Sequence, residues 1–174
     1  NKITKKRITA IIPVHVFGNA VFLDDLVSIC KKRNIAIVED ATESLGSHYI
    51  KGKFSKKHTG TIGLFGCLSF NGNKIITSGG GGMILTDDPS LADKAKYLST
   101  QAKNDPLKYI HDEIGYNFRL TNIAAAIGLA QLEQIEFFIE KKKIIHEFYI
   151  KNIQPIDGLV VNGTPGYSKN NYWL

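Results

Sequence analysis

Two short apolar runs flanking a helical pattern constrain the fold of this chain more than any other feature. Ile8-Thr9-Ala10-Ile11-Ile12-Pro13-Val14 is β-branched and reads as a buried strand. Pro13 marks its end, because proline has no N–H to give to a sheet ladder. From Leu23 to Arg33 the residues Leu23, Leu26, Val27 and Cys30 share one helical face, with Asp24 and Asp25 in the first turn, where carboxylates suit the helix dipole. Ile35-Ala36-Ile37-Val38 is a second apolar run, and it stops at Glu39-Asp40. Strand, helix, strand in that space is the βαβ unit, which calls for a parallel sheet and a right-handed crossover.

The alternation continues further along. Leu64 to Phe70 and Gly82 to Thr86 are strand candidates, separated by a loop that holds Lys74 and the run Gly79 to Gly82. Asp87 or Asp88 can cap a helix from Pro89 to about Thr100, with proline at the first helical position, where a missing N–H costs nothing. Residues 101–120 read as irregular. Thr121 caps one long helical stretch in which Ile123, Ile127, Ala130, Ile135, Phe138 and Ile139 recur near a 3.6 period. After Ile153 the chain is rich in Gly, Pro and Asn, and its final Asn171-Tyr172-Trp173-Leu174 reads as the start of a strand.

With 43% hydrophobic and 22% charged residues, enough apolar surface exists to offset the entropy of ordering, which excludes a disordered or fibrous chain. No apolar run approaches the roughly 20 residues that span a bilayer, and the N-terminus is not followed by a signal-like core. A cytoplasmic protein with no membrane partner is the expectation. Cys30 and Cys67 are too few for a disulfide scaffold and read as reduced thiols. The net charge of +6 sits in separate runs near residues 2–7, 51–57 and 141–143, without interleaved aromatics. That pattern fits a solvated lysine-rich surface and not a nucleic-acid partner. The five histidines, His15, His48, His58, His111 and His146, lack ligand spacing, so no metal site is expected.

Two stretches can carry chemistry. Glu39-Asp40 stands at the carboxyl end of an apolar strand, where open α/β sheets bind their ligands. A helix cap or a solvated turn is the other reading of that position. Lys74 follows a buried strand in Ser69-Phe70-Asn71-Gly72-Asn73-Lys74. A lysine partly desolvated in such a setting offers a neutral amine for Schiff-base chemistry, while a surface lysine in a flexible loop is the plain alternative. Gly79 to Gly82 match neither the Walker nor the dinucleotide spacing, and fit a turn where backbone passes close to something bulky.

Five landmarks in order give these stretches a common meaning. They are Pro13-Val14-His15-Val16-Phe17-Gly18, Val38-Glu39-Asp40-Ala41-Thr42-Glu43-Ser44-Leu45-Gly46, Ser69 to Lys74, Gly79 to Met83 with Thr86-Asp87, and Gly115-Tyr116-Asn117-Phe118-Arg119-Leu120-Thr121-Asn122 running into Ile123 to Gly128. Together they resemble the DegT/DnrJ/EryC1/StrS family of nucleotide-sugar aminotransferases, over about Ile11 to Leu132. The resemblance implies an α/β, three-layer type I aspartate-aminotransferase-like fold with a mostly parallel central sheet, present here in part. It implies pyridoxal 5'-phosphate as cofactor. Lys74 would bind the cofactor's aldehyde covalently and shuttle a proton, and Asp40 would pair with the ring nitrogen. Ser69 would hold the phosphate, Glu43 would lie near the ring hydroxyl and the sugar, and Asn117 would reach the phosphate of the partner subunit in a homodimer with a shared active site.

Glu43 stands where many members carry Gln, Asn71 where many carry His, and Leu64 where many carry Asp. The variant Glu43 with Asn71 and Asn73 resembles the legionaminic-acid or bacillosamine subgroup, which acts on UDP-4-keto-6-deoxy-N-acetylhexosamine. The reaction implied is transfer of an amino group from an amino-acid donor, glutamate, to the C4 keto group of a nucleotide sugar for bacterial surface polysaccharide. A dehydratase branch carries His at the lysine position, so Lys74 points to transamination. The rival readings are that dehydratase and a non-catalytic dimerisation or cofactor-binding module. Since members are about twice this length and Met does not begin the sequence, residues 1–140 are expected to be the C-terminal part of a large cofactor-binding domain. Residues 141–174 would be a connecting helix and the start of a small domain, and the segment alone would be inactive.

Overall fold

The computed structural model describes residues 1–105 and 107–174. Strand β1 (Ala10–Ile11), helix α1 (Asp24–Arg33) and strand β2 (Ala36–Asp40) form the expected βαβ unit, with β1 and β2 parallel in the register Ala10 to Ala36 and Ile11 to Ile37. However, β1 is shorter than the run Ile8 to Val14 and is not buried, Ile8 and Ile12 standing exposed at the sheet edge. Charge and cap act together on α1. Asp24 and Asp25 occupy its first turn, Lys31, Lys32 and Arg33 its last, and Asn34 closes it in the left-handed conformation at φ 50°. The face read from the sequence is the one that packs: Leu23 and Cys30 are buried, and Leu26 and Val27 are partly buried beside Ala20 and Tyr49.

After the short β3 (His48–Tyr49), strand β4 (Phe65–Ser69) pairs with β2 in parallel, and β5 (Gly82–Leu85) pairs with β4 antiparallel. The sheet order is therefore β1-β2-β4-β5, mostly parallel with one antiparallel edge. Gly66 is the buried second residue of β4, and a Cβ there would collide with the backbone of Gly60, so a side chain at this position would push the sheet off the loop beside it. Of the glycine run, Gly81 (φ 87°) passes against Leu120, whose Cδ1 a Cβ would meet at 2.7 Å, while Gly79 (φ 82°) lies in open space and serves the turn.

Helix α2 (Pro89–Ser99) follows, and the cap is Asp88, whose carboxylate accepts from the N–H groups of Ser90 and Leu91. Three expectations need correction. Residues 101–120 are not wholly irregular: β6 (Lys103–Asp105) and β7 (Ile110–His111) form a small antiparallel pair, with the Asp105 carboxylate accepting from the N–H groups of Leu107 and Lys108. The long helix is two helices, α3 (Asn122–Leu132) and α4 (Ile135–Ile153). Gln134 leaves helical geometry at φ −112°, ψ 9°, and its side chain donates to the Ala130 carbonyl at 3.2 Å, satisfying an acceptor that the break exposes. Finally, Tyr172-Trp173-Leu174 is not a strand. The strand in this region is β8 (Ser168–Lys169), antiparallel to β3, and Tyr172 sits at φ 53° because Asn170 and Asn171 fold their side chains back onto the N–H groups of Tyr172 and Trp173.

That folded-back tail lies on the loops of the first half. The Asn171 amide is fully buried and donates to the carbonyls of Glu43 and Leu45, and its N–H donates to Ser47 Oγ. Neither α3 nor α4 carries a buried residue, and Ile123 and Phe148 stand 77% and 64% exposed. Among the described residues no helix is long and apolar enough to cross a membrane.

Candidate active site

Side chains alternate faces along a strand, and this fixes what β2 and β4 can present together. Asp40 ends β2 in register with Cys67 of β4, and Ser69 lies two residues beyond Cys67 on the same face. The carboxylate and the hydroxyl thus share the carboxyl end of two neighbouring parallel strands, the position where such sheets bind ligands. Asp40 is half-buried, and its Oδ1 accepts from Thr42 N–H at 3.2 Å. Among the described residues its Oδ2 has no hydrogen-bond partner, so one oxygen is left for a donor from outside the chain. The Cys67 thiol is pushed up, first by burial and then by the negative charge of Asp40.

Lys74 is carried by a turn that Ser69 organises. The Ser69 Oγ accepts from Asn71 N–H at 3.3 Å, and Lys74 N–H closes the turn on the Asn71 carbonyl at 3.1 Å. Beyond it, Ile76 is buried, and Thr77 donates its N–H to Gln131 Oε1 at 2.7 Å, tying the loop to α3. Lys74 itself is half-buried, with Nζ 4.5 Å from the ring centre of Trp173.

The other two candidates stand apart from this trio. Glu43 lies in the loop after β2, and its Oε2 accepts from Phe17 N–H at 2.7 Å, so the carboxylate braces a backbone turn. Asn117 is exposed, bridges to Thr100 and accepts from Arg119 Nε at 3.5 Å. The structure therefore brings Asp40, Ser69 and Lys74 to one sheet end, sets Glu43 on the adjoining loop, and leaves Asn117 open on a separate segment.

Sequence reasoning missed two supports of the site. The sequence offers Glu39 and Asp40 together as strand-end acids, yet alternation turns Glu39 to the opposite face, where it is fully buried. Its Oε1 accepts from the N–H groups of Ile62 and Gly63, each at 2.6 Å, and its Oε2 from Gly60 N–H at 2.9 Å and His15 Nε2 at 3.0 Å. His15 Nδ1 accepts from Val21 N–H, which places the ring proton on Nε2. Burial acts to raise the Glu39 pKa, but the hydrogen bonds from His15, Gly63, Gly60 and Ile62 prevail and hold it below the ordinary carboxylate value. The second support is Trp173, whose place 99 residues from Lys74 left no local signal beyond an aromatic in a polar tail.

Glu39 gives a stability prediction. In Glu39→Gln an NH2 donor faces N–H donors whichever way the amide turns, at a cost of about 3 kcal/mol in urea unfolding of the full-length protein. The folded pKa lies below the unfolded one, so the wild-type contribution is full above the ordinary carboxylate range and is lost as pH falls below that range and through the lowered folded value. The gap between wild type and Glu39→Gln should narrow on acidification, and an equal midpoint at neutral pH would contradict the anchoring role.

The fold is the α/β fold of type I aminotransferases, represented in part: the aminotransferase TlmJ from Streptoalloteichus hindustanus superposes with a TM-score of 0.89 at 26% identity, covering 99% of this chain and 46% of that one. The sequence matches the DegT/DnrJ/EryC1/StrS aminotransferase family over residues 1–174, and the chain belongs to that family. The GDP-perosamine synthase of Escherichia coli O157:H7 is 45% identical over 155 residues, which is 89% of this chain and 41% of that protein. The UDP-4-amino-4,6-dideoxy-N-acetyl-beta-L-altrosamine transaminase of Campylobacter jejuni is 34% identical over 151 residues, 86% of this chain and 39% of that protein. The chain thus spans about two fifths of the length of these relatives.

Proposed function

We propose that the protein is a pyridoxal-phosphate-dependent aminotransferase that passes an amino group from glutamate to the C4 keto group of a nucleotide-linked 4-keto-6-deoxy sugar. The observation that carries this reading is the placement of Asp40 and Ser69 on one face at adjoining strand ends, with the Ser69 hydroxyl bracing the turn that bears Lys74. The donor set fits the cofactor: an open carboxylate oxygen for a pyridinium N–H, a hydroxyl for a phosphate, and a primary amine for an aldehyde. When bound, the cofactor supplies an electron sink for a carbanion.

Asp40 holds a proton on the ring nitrogen, because a carboxylate there favours the charged form. Ser69 orients the phosphate end. Lys74 Nζ carries a proton between the substrate carbon and C4′, and a residue that does so must come and go from one place, which the closed turn at Asn71 provides. Glu43 lies toward the sugar, and Asn117, exposed on its own segment, serves the phosphate of the partner subunit in a homodimer. Residues 1–140 would then belong to the cofactor-binding domain and 141–174 to the connection with a small domain. The work of such an enzyme is cytoplasmic synthesis of sugars for surface glycans.

Within the substrate class, the pattern Glu43, Asn71 and Asn73 supports UDP-4-keto-6-deoxy-N-acetylhexosamine. The name of the Campylobacter relative carries a UDP-linked sugar, and that of the E. coli relative a GDP-linked one. Incubating the full-length protein with glutamate and each nucleotide ketosugar separates them. Glutamate-dependent amination of the UDP sugar is the expected result. Amination of the GDP sugar alone would overturn the nucleotide assignment, and amination of neither would overturn the function.

A further inference from the structure

We propose that Trp173 is a positioning residue that holds the Lys74 ammonium in a waiting place when Lys74 is detached from the cofactor and protonated. The inference rests on the role proposed for Lys74. Three observations support it. Lys74 Nζ lies 4.5 Å from the Trp173 ring centre, inside the roughly 6 Å reach of a cation–π attraction. Among the described residues no hydrogen bond or ion pair engages that ammonium, so the ring face is its one described partner. The ring is held by Nε1, which donates to the Asn73 carbonyl at 2.5 Å, and by Phe17, which stacks on it at 6.4 Å, while the Trp173 backbone is held by the N–H donating to Asn171 Oδ1 at 3.1 Å and the carbonyl accepting from Lys142 Nζ at 3.2 Å.

The chemistry requires such a place. Joining Lys74 to the aldehyde forms a C=N bond and breaks a C=O bond. One proton of the ammonium goes to solvent and two leave with the oxygen as water, with no change of oxidation state. The amino donor reverses this attachment by displacing Lys74 as a neutral amine, which becomes an ammonium on taking the proton of the substrate carbon and must then be held without filling the substrate's space. Trp173 is 5% exposed, and its bond to Asn73, the residue next to Lys74, is part-buried. The ring therefore reports to the lysine-bearing turn through both its face and its edge.

An attraction that favours detached Lys74 has a sign that a merely structural role cannot produce. Weakening it should tighten the attachment of pyridoxal phosphate and make displacement by the donor harder, whereas damage to the fold would loosen the cofactor. The test replaces Trp173 of the full-length protein by mono-, di- and tetrafluorotryptophan, which keep shape and N–H while draining the ring face of negative charge. Pyridoxal phosphate is titrated by its visible absorbance, and glutamate is then titrated against the loaded protein.

The expected result is graded. Cofactor affinity rises and the glutamate concentration at half-displacement rises, each by roughly fivefold at tetrafluorotryptophan. Affinities that stay flat or fall with fluorination would overturn the proposal. Lys74→Ala, run in parallel, keeps the two claims separate. If it retains the visible band, the role of Lys74 fails; if it loses the band while the fluorinated series stays flat, only the role of Trp173 fails. Because the fluorinated residues change no shape, the proposal stays open to test even if Trp173→Leu does not fold.

Discussion

Lys74→Ala removes the visible absorbance of the cofactor-loaded full-length protein and lowers turnover by at least about 10³-fold. Two losses combine in that substitution. The side chain proposed to form the covalent link is gone, and so is the proposed base at the reacting carbon. No other lysine replaces it, because the turn from Ser69 to Lys74 delivers one amine to the strand ends where Asp40 and Ser69 lie. The fold should survive. Lys74 is half-buried, its backbone bond to Asn71 is unaffected, and the neighbouring Ile76 and Thr77 keep the loop on α3. Absorbance spectra, turnover and the urea midpoint measured together check this, and a variant that keeps its band would show that another residue holds the cofactor.

Asp40→Asn lowers turnover by on the order of 10²-fold or more while the protein still takes up cofactor. Asparagine is the same size and its Oδ1 can still accept from Thr42 N–H, so the loop geometry persists. What disappears is the negative charge proposed to keep the ring nitrogen protonated. Cys67 offers an internal check that needs no substrate. Its thiol is pushed up first by burial and then by Asp40, so the variant should bring the thiol pKa down part of the way, leaving the contribution of burial. Normal turnover in Asp40→Asn would defeat the electron-sink role, and an unmoved thiol would show that Asp40 does not face Cys67.

How far the sequence predicted these positions depended on the range of the forces that set them. Asp40 and Lys74 were legible because a strand end and a glycine-rich turn are local patterns, and the parity of a strand places Asp40 and Ser69 on one face once β2 and β4 pair. The helix α1 and the acidic residues of its first turn were legible for the same reason. Glu39 was not, since its four donors come from His15 and from Gly60 to Gly63, segments that meet it only after folding. Neither was the break at Gln134, where both sides satisfy the same helical period and one residue leaves the helix. The tail misled most. Its apolar Tyr172-Trp173-Leu174 suggested a strand, but the amides of Asn170 and Asn171 capture the backbone first and turn Trp173 toward Lys74.

The covalent link between cofactor and chain is the centre of this account, and one measurement addresses it. The full-length protein is saturated with pyridoxal phosphate, reduced with borohydride, digested and mapped by mass spectrometry. A single stable pyridoxyl group is expected on the peptide bearing Asn71-Gly72-Asn73-Lys74, attached at Lys74. A group fixed on a different lysine, or none fixed after saturation, would contradict it.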